Sequence, residues 1–156
     1  MKTLIAYYSR TGNTKKVCEF LSKKLNADID EIIDKKKRKG AIGFVVGGKD
    51  AMQKNMTEIK TKKDPSQYDF VILGTPVWAD NVTPAIRTYA YEYKHNIKNT
   101  AFICTTGMSG IEKTFMELEK ILEKKPKATF SMLTKDVKNE KNIKTKSKDF
   151  IKSVKD

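Results

Sequence analysis

Apolar and polar positions along the chain change period several times, and each change marks an element. Leu4 to Tyr8 is a short apolar run, the polar stretch Ser9 to Thr14 follows, and Val17, Phe20, Leu21 and Leu25 then recur at helical spacing. A strand, a turn and a helix are expected there in that order. Ala27 to Ile33 alternates apolar and acidic residues before closing on Ile32 and Ile33, which predicts an edge strand. Ala41 to Met52 sets Ile42, Phe44, Val45 and Val46 among glycines and reads as a loop leading into a short helix. Phe70 to Leu73 is continuously apolar, as a strand buried on both faces of a parallel sheet must be. Beyond it, Thr83 is placed to cap a helix with Pro84 at its first position; Ile86, Tyr89, Ala90 and Tyr93 form its inner face, and His95 falls in its last turn. Ala101 to Cys104 is a fourth strand. Ser109 and Glu112 then have the spacing of a capping box ahead of a helix carried by Ile111, Phe115, Leu118, Ile121 and Leu122, which Pro126 ends. Ala128 to Leu133 is the last strand, and Ile143, Ser147, Phe150, Ile151 and Val154 line up as one final helix.

Strands alternating with helices predict a doubly wound, largely parallel α/β sheet with right-handed crossovers. Such sheets bind ligands beyond the carboxyl ends of their strands, near the point where the strand order reverses. Three post-strand loops fall on that edge: Ser9 to Thr14, Pro76 to Asn81, and Thr105 to Gly110. The first offers the hydroxyls of Ser9, Thr11 and Thr14, a glycine at Gly12, and Asn13, which tolerates the left-handed conformation, all at the positive end of a helix dipole. That suits a phosphate monoester, although taken alone the same residues equally suit an ordinary turn in which Thr11 or Asn13 caps the helix. The second loop carries Trp78, the one tryptophan; core packing would explain it, but a post-strand position suits stacking on a flat conjugated ring better. Phosphate and ring together describe flavin mononucleotide (FMN).

Composition narrows the alternatives. A chain of 156 residues suggests one domain over 1–156, large enough to bury roughly 68–70% of the surface its unfolded form exposes. No stretch approaches the roughly 18 apolar residues of a membrane span, and Thr3 to Tyr8 is too short for a signal-peptide core, so a cytoplasmic protein is expected. Cys18 and Cys104 lack Cys-x-x-Cys spacing and read as reduced core thiols, and a single histidine rules out most metal and triad chemistry. The net charge of +13 predicts attraction to acidic partners. Much of it lies in Lys35, Lys36, Lys37, Arg38 and Lys39 and along Lys135 to Lys155. These read as a solvated lysine-rich surface and not a nucleic-acid footprint, because acidic residues are interspersed and aromatics are not. Gly43, Gly48 and Lys49 begin a nucleoside-triphosphate loop motif, but Asp50 stands where its hydroxyl should be and apolar residues fill the cradle, so that chemistry is set aside.

The order of Ser9-Arg10-Thr11-Gly12-Asn13-Thr14, Thr75-Pro76-Val77-Trp78-Ala79-Asp80 and Thr105-Thr106-Gly107 resembles the short-chain flavodoxins, across essentially the whole chain. The resemblance implies a flavodoxin-like three-layer α/β/α sandwich on a five-stranded parallel sheet of order 2-1-3-4-5. It also implies non-covalent FMN, with its phosphate on Ser9, Arg10, Thr11, Gly12, Asn13 and Thr14 and its ring against Trp78 in the loop Pro76, Val77, Trp78, Ala79 and Asp80. The pyrimidine edge would meet Thr105, Thr106, Gly107, Met108 and Gly110. The implied task is electron transfer through quinone, semiquinone and hydroquinone states, with redox proteins bearing acidic docking surfaces as partners. An FMN-dependent NAD(P)H:quinone-type oxidoreductase is the alternative. Two departures from the family stand out: Ala79 replaces a frequent glycine whose peptide turns over on reduction, and the chain is basic where flavodoxins are typically acidic.

Overall fold

The computed structural model describes residues 1–156. In chain order the elements are β1 (Thr3–Tyr7), α1 (Asn13–Leu25), β2 (Asp28–Glu31), β3 (Ile33–Asp34), α2 (Gly40–Met52), β4 (Ile59–Lys60), β5 (Phe70–Trp78), β6 (Asn81–Val82), α3 (Pro84–Tyr93), β7 (Thr100–Thr106), α4 (Ile111–Leu122), β8 (Thr129–Leu133), α5 (Thr134–Val137), α6 (Glu140–Lys146) and α7 (Lys148–Lys155). β2, β1, β5, β7 and β8 pair in that order, all parallel, which is the expected 2-1-3-4-5 when these strands are counted along the chain. No helix is long and apolar enough to cross a membrane.

Successive residues of a strand face opposite sides of its sheet, and the core divides accordingly. Leu4, Ala6, Val71, Leu73 and Phe102 join Ile86, Tyr89 and Leu118 of α3 and α4 on one side. Ile5, Tyr7, Phe70, Ile72 and Ile103 join Val17 and Leu21 of α1 and Phe150 and Val154 of α7 on the other. The continuous apolar run of β5 is thus explained by helices on both faces.

Several local expectations give way. Gly40 to Met52 is a full helix of 13 residues, despite glycine's low helix propensity. Tertiary contact requires the small residues: a Cβ at Gly43 would meet the Arg38 backbone at 2.2 Å, and one at Gly47 would meet the Trp78 ring at 2.6 Å. The would-be triphosphate loop is therefore helical. The strand expected over Ala27 to Ile33 breaks at the buried Ile32, and β3 turns away to pair antiparallel with β4. The final helix is split at buried Ser147 into α6 and α7. His95 lies past the end of α3, beyond the C-cap Lys94. Pro84 does open α3, but the Thr83 side chain caps nothing, because its hydroxyl lies 3.0 Å from that of Thr75. The Ser109–Glu112 capping box does not form either: Gly110 is the N-cap of α4, and the Ser109 hydroxyl donates to Asp80 Oδ1 at 3.1 Å.

Within the basic run, Arg38 departs from a solvated surface: its side chain is only 2% exposed. Nε donates to Asp34 Oδ2 at 2.6 Å and Nη1 to Asp50 Oδ2 at 2.7 Å, with Lys36 Nζ joining Asp50 at 2.8 Å. Burial by itself would push the Asp50 carboxyl up. The hydrogen bonds from Lys36, Arg38 and Asn55 outweigh burial and hold it well below the usual carboxylate range. A carboxylate depressed in this way contributes stability that is complete above its unfolded value, about 3.9, and is lost as the pH falls through the folded value. The urea midpoint is therefore expected to drop as the pH is lowered below about 4, and Asp50→Asn should shallow that dependence while costing about 3 kcal/mol at neutral pH. Urea melts of both proteins across the acid range test this.

Candidate functional site

The three strand-end loops meet at the carboxyl edge of the sheet. The first starts α1 on Gly12, which takes the left-handed conformation (φ 91°) that the sequence pattern assigned to Asn13. No side chain caps α1, so its first-turn amides keep their donors free of side-chain acceptors. Ser9 Oγ instead accepts from the Gly12 amide at 3.1 Å, and Asn13 Nδ2 donates to Thr11 Oγ1 at 3.2 Å. Thr14 and Thr105 place their buried hydroxyls 2.7 Å apart, joining the first loop to the third.

The second loop is shorter than its sequence suggested. β5 runs on through Trp78, and β6 pairs back antiparallel, Val77 opposite Val82 and Trp78 opposite Asn81. The two connecting residues, Ala79 and Asp80, both have positive φ, 48° and 57°. Two positive φ values in a two-residue hairpin define a type I′ turn, usually built from Asn and Gly. Its surroundings fix the unusual choice. Asn81 Oδ1 accepts from the Val82 amide and from Arg87 Nη2, each at 2.9 Å, while Arg87 Nη1 donates to Glu117 Oε1 at 2.8 Å. Burial would raise the Glu117 carboxyl, but hydrogen bonds from Arg87 and Lys54 bring it below its ordinary value, so the support stays ionised.

Trp78 is half-buried and held on several sides. Tyr8 meets it edge-on at 5.6 Å between ring centres with an interplanar angle of 85°, Gly47 lies against the ring, and the Arg38 guanidinium sits 5.9 Å from its centre. Burial, and after it the nearby Asp34 charge, pushes the Tyr8 phenol up to about 12, so this neighbour is uncharged at physiological pH.

Between these loops lies a cavity of about 150 Å³. Ser9, Arg10, Thr11, Asn13 and Thr14 line it from the first loop, Pro76, Val77 and Trp78 from the second, and Thr105, Thr106 and Gly107 from the third. Gly12, Ala79, Asp80, Met108 and Gly110 do not line it. Met108 is 87% exposed, Asp80 is engaged by Ser109 Oγ and lies 3.6 Å from Lys113 Nζ, and Gly110 serves as a left-handed N-cap. Two lining residues had no sequence signal: Phe44 of α2 and Thr134 at the start of α5. Phe44 is 62% exposed and lies 5.1 Å from the Arg10 guanidinium. Arg10 Nη1 is buried without a hydrogen-bond partner.

Cys18 and Cys104 are free and buried, as expected of core thiols, and burial pushes Cys104 up to about 12. No cluster of His, Cys, Asp and Glu could hold a metal ion.

The doubly wound sheet and its three-loop cleft define a flavodoxin-like protein. Residues 2–153 match the flavodoxin family, and the chain belongs to that family. No curated protein matches it. Among solved structures it is similar to a flavoprotein in complex with FMN from Lactobacillus acidophilus NCFM, at 21% identity over 94% of this chain and 99% of that one, with a TM-score of 0.73. A Bacteroides eggerthii DSM 20697 protein described as a flavoprotein is 26% identical over 96% of this chain and 97% of its own, also with a TM-score of 0.73. Oxidised flavodoxin 2 from Bacillus cereus is 19% identical over 98% and 97% of the two chains, with a TM-score of 0.58.

A Cβ in the left-handed region costs on the order of 1 kcal/mol, so Ala79→Gly is expected to raise stability by about 0.5 kcal/mol after the gain in unfolded-chain entropy is subtracted. Gly47→Ala should displace the indole and shift its fluorescence maximum relative to wild type. Urea melts and emission spectra check the two.

Proposed function

We propose that the protein is an FMN-binding electron carrier of the flavodoxin type. The observation that carries this reading is the pairing of an uncapped α1 terminus and an unpartnered Arg10 nitrogen with a rigidly held Trp78 in one cleft. The first group suits a phosphate, which amides at a helix N-terminus and a guanidinium bind well. The second suits a flat ring, and the L. acidophilus flavoprotein in complex with FMN supports the choice of ligand. Ser9 to Thr14 would hold the phosphate, Trp78 the ring face, and the segment from Thr105 to Gly110 its polar edge. Bound FMN supplies the one-electron and two-electron redox chemistry.

This chain's residues position and tune that chemistry. Arg10 is the one charged side chain lining the cavity, and no carboxylate or imidazole stands there to relay a proton to a substrate. This favours a carrier over an NAD(P)H:quinone-type oxidoreductase. The surface charge of +13 favours acidic redox proteins as partners, and the buried, unpaired thiols favour a reducing, cytoplasmic setting.

Addition of FMN to the purified protein is expected to give tight, saturable binding with quenched flavin and tryptophan fluorescence. Arg10→Ala should weaken FMN at least tenfold and riboflavin far less; absence of binding to wild type refutes the reading. Steady-state turnover of NAD(P)H with a quinone by the loaded protein would favour the oxidoreductase instead. Turning over the 79–80 peptide converts the type I′ turn to type II′, whose first central residue needs ψ near about −120° at positive φ, a region a Cβ resists. Redox titration should therefore find the two one-electron midpoints closely spaced in wild type and further apart in Ala79→Gly. Reduction by an acidic partner should slow steeply with added salt.

A further inference from the structure

A second cavity, of about 420 Å³, opens on the β2 side of the same sheet edge. Its walls are Tyr8, Ser9 and Arg10 and the whole segment Glu31 to Lys39. Ser9 and Arg10 line both cavities, so Arg10 forms part of the partition between them. Most of the charges in this wall are already matched. Lys35 pairs with Glu58, Lys36 with Asp50, Glu31 with Lys15, and Arg38 with Asp34 and Asp50. Arg10, Lys37 and Lys39 have no ion-pair partner, and no wall carboxylate is left to neutralise them.

Arg10 Nη1 is assigned to the first cavity, but a second buried guanidinium nitrogen of this wall, Arg38 Nη2, also has no acceptor. The Arg38 side chain is 2% exposed, so that nitrogen has given up water without gaining a partner in the protein. α2 begins at the same wall with Lys39 as its N-cap and no side-chain cap, which adds the positive end of a helix dipole. The cavity's volume lies within the range of small-molecule sites, about 300–1,000 Å³.

We propose that this cleft is a second anion site, which takes the phosphate groups of a small organic phosphate beside the first cavity. Phosphate is the anion chosen because a guanidinium group and a helix terminus suit its several oxygens, and unpaired lysines suit its second charge. With Arg10 left to the first cavity, the site rests on Arg38, Lys37, Lys39 and the start of α2 and not on the flavin reading.

Inorganic pyrophosphate titrated by calorimetry into the FMN-loaded protein, at fixed ionic strength, is the test. One equivalent should bind, and Lys37→Ala combined with Lys39→Ala should weaken it at least tenfold while FMN affinity stays within twofold. A pair of changes on α7, Lys152→Ala with Lys155→Ala, should leave pyrophosphate affinity as it is. Binding that occurs only without FMN, binding unaltered in the Lys37/Lys39 variant, or equal affinity for malonate each overturns the proposal. If the protein takes up no FMN, the same titration on the flavin-free protein still decides the matter. Lys37/Lys39-dependent binding would then sustain this site while the flavin reading fails.

Discussion

Two buried guanidinium groups brace the hairpin that carries Trp78. Arg38 ties the end of β3 to α2 through Asp34 and Asp50 and lies beneath the indole, while Arg87 ties Asn81 of the hairpin to Glu117 of α4. Breaking a buried pair by removing one partner leaves an uncompensated charge and is strongly destabilising. The hairpin therefore cannot shift without disturbing both braces. This explains how a turn with two non-glycine residues at positive φ persists, since strained backbone survives where its surroundings over-determine it.

The consequence for the site is division of labour. The parallel sheet supplies only the general location, at the carboxyl ends of β1, β5 and β7. The shared hydroxyl contact of Thr14 and Thr105 fixes the first loop against the third, and the Arg-braced hairpin fixes the second. α2 then closes one side with Phe44, a contribution the sheet does not provide.

The sheet was legible in the sequence because its strands are buried on both faces and read as uninterrupted apolar runs; Phe70 to Leu73 is the plainest case. Loop positions followed from the strand ends, and Ser9 to Thr14, Trp78 and Thr105 to Gly107 do come together around one cavity except for Gly12. α2 was legible only as a short helix after a loop, because its glycines argue locally against a full helix and the contacts that require them, with Arg38 and Trp78, are distant or lie outside the helical period. Arg38 was hidden for a related reason: within a lysine run it is indistinguishable from solvated charge until Asp34 and Asp50 are brought to it. Ser109 shows the limit of short motifs, since a correctly spaced hydroxyl bonded across to Asp80 instead of to its own helix. Phe44 had no signal as a lining residue, being an exposed apolar residue in a segment read as a loop leading into a short helix.

The thiols bear on durability. Cys18 and Cys104 are fully enclosed on α1 and β7, and burial disfavours the thiolate of both. Oxidants attack the ionised sulfur at an accessible surface, so peroxide or a mixed disulfide finds no foothold on the folded chain. The folded chain thereby keeps its own sulfur out of thiol chemistry, and alkylating reagents should report on its unfolding and nothing else.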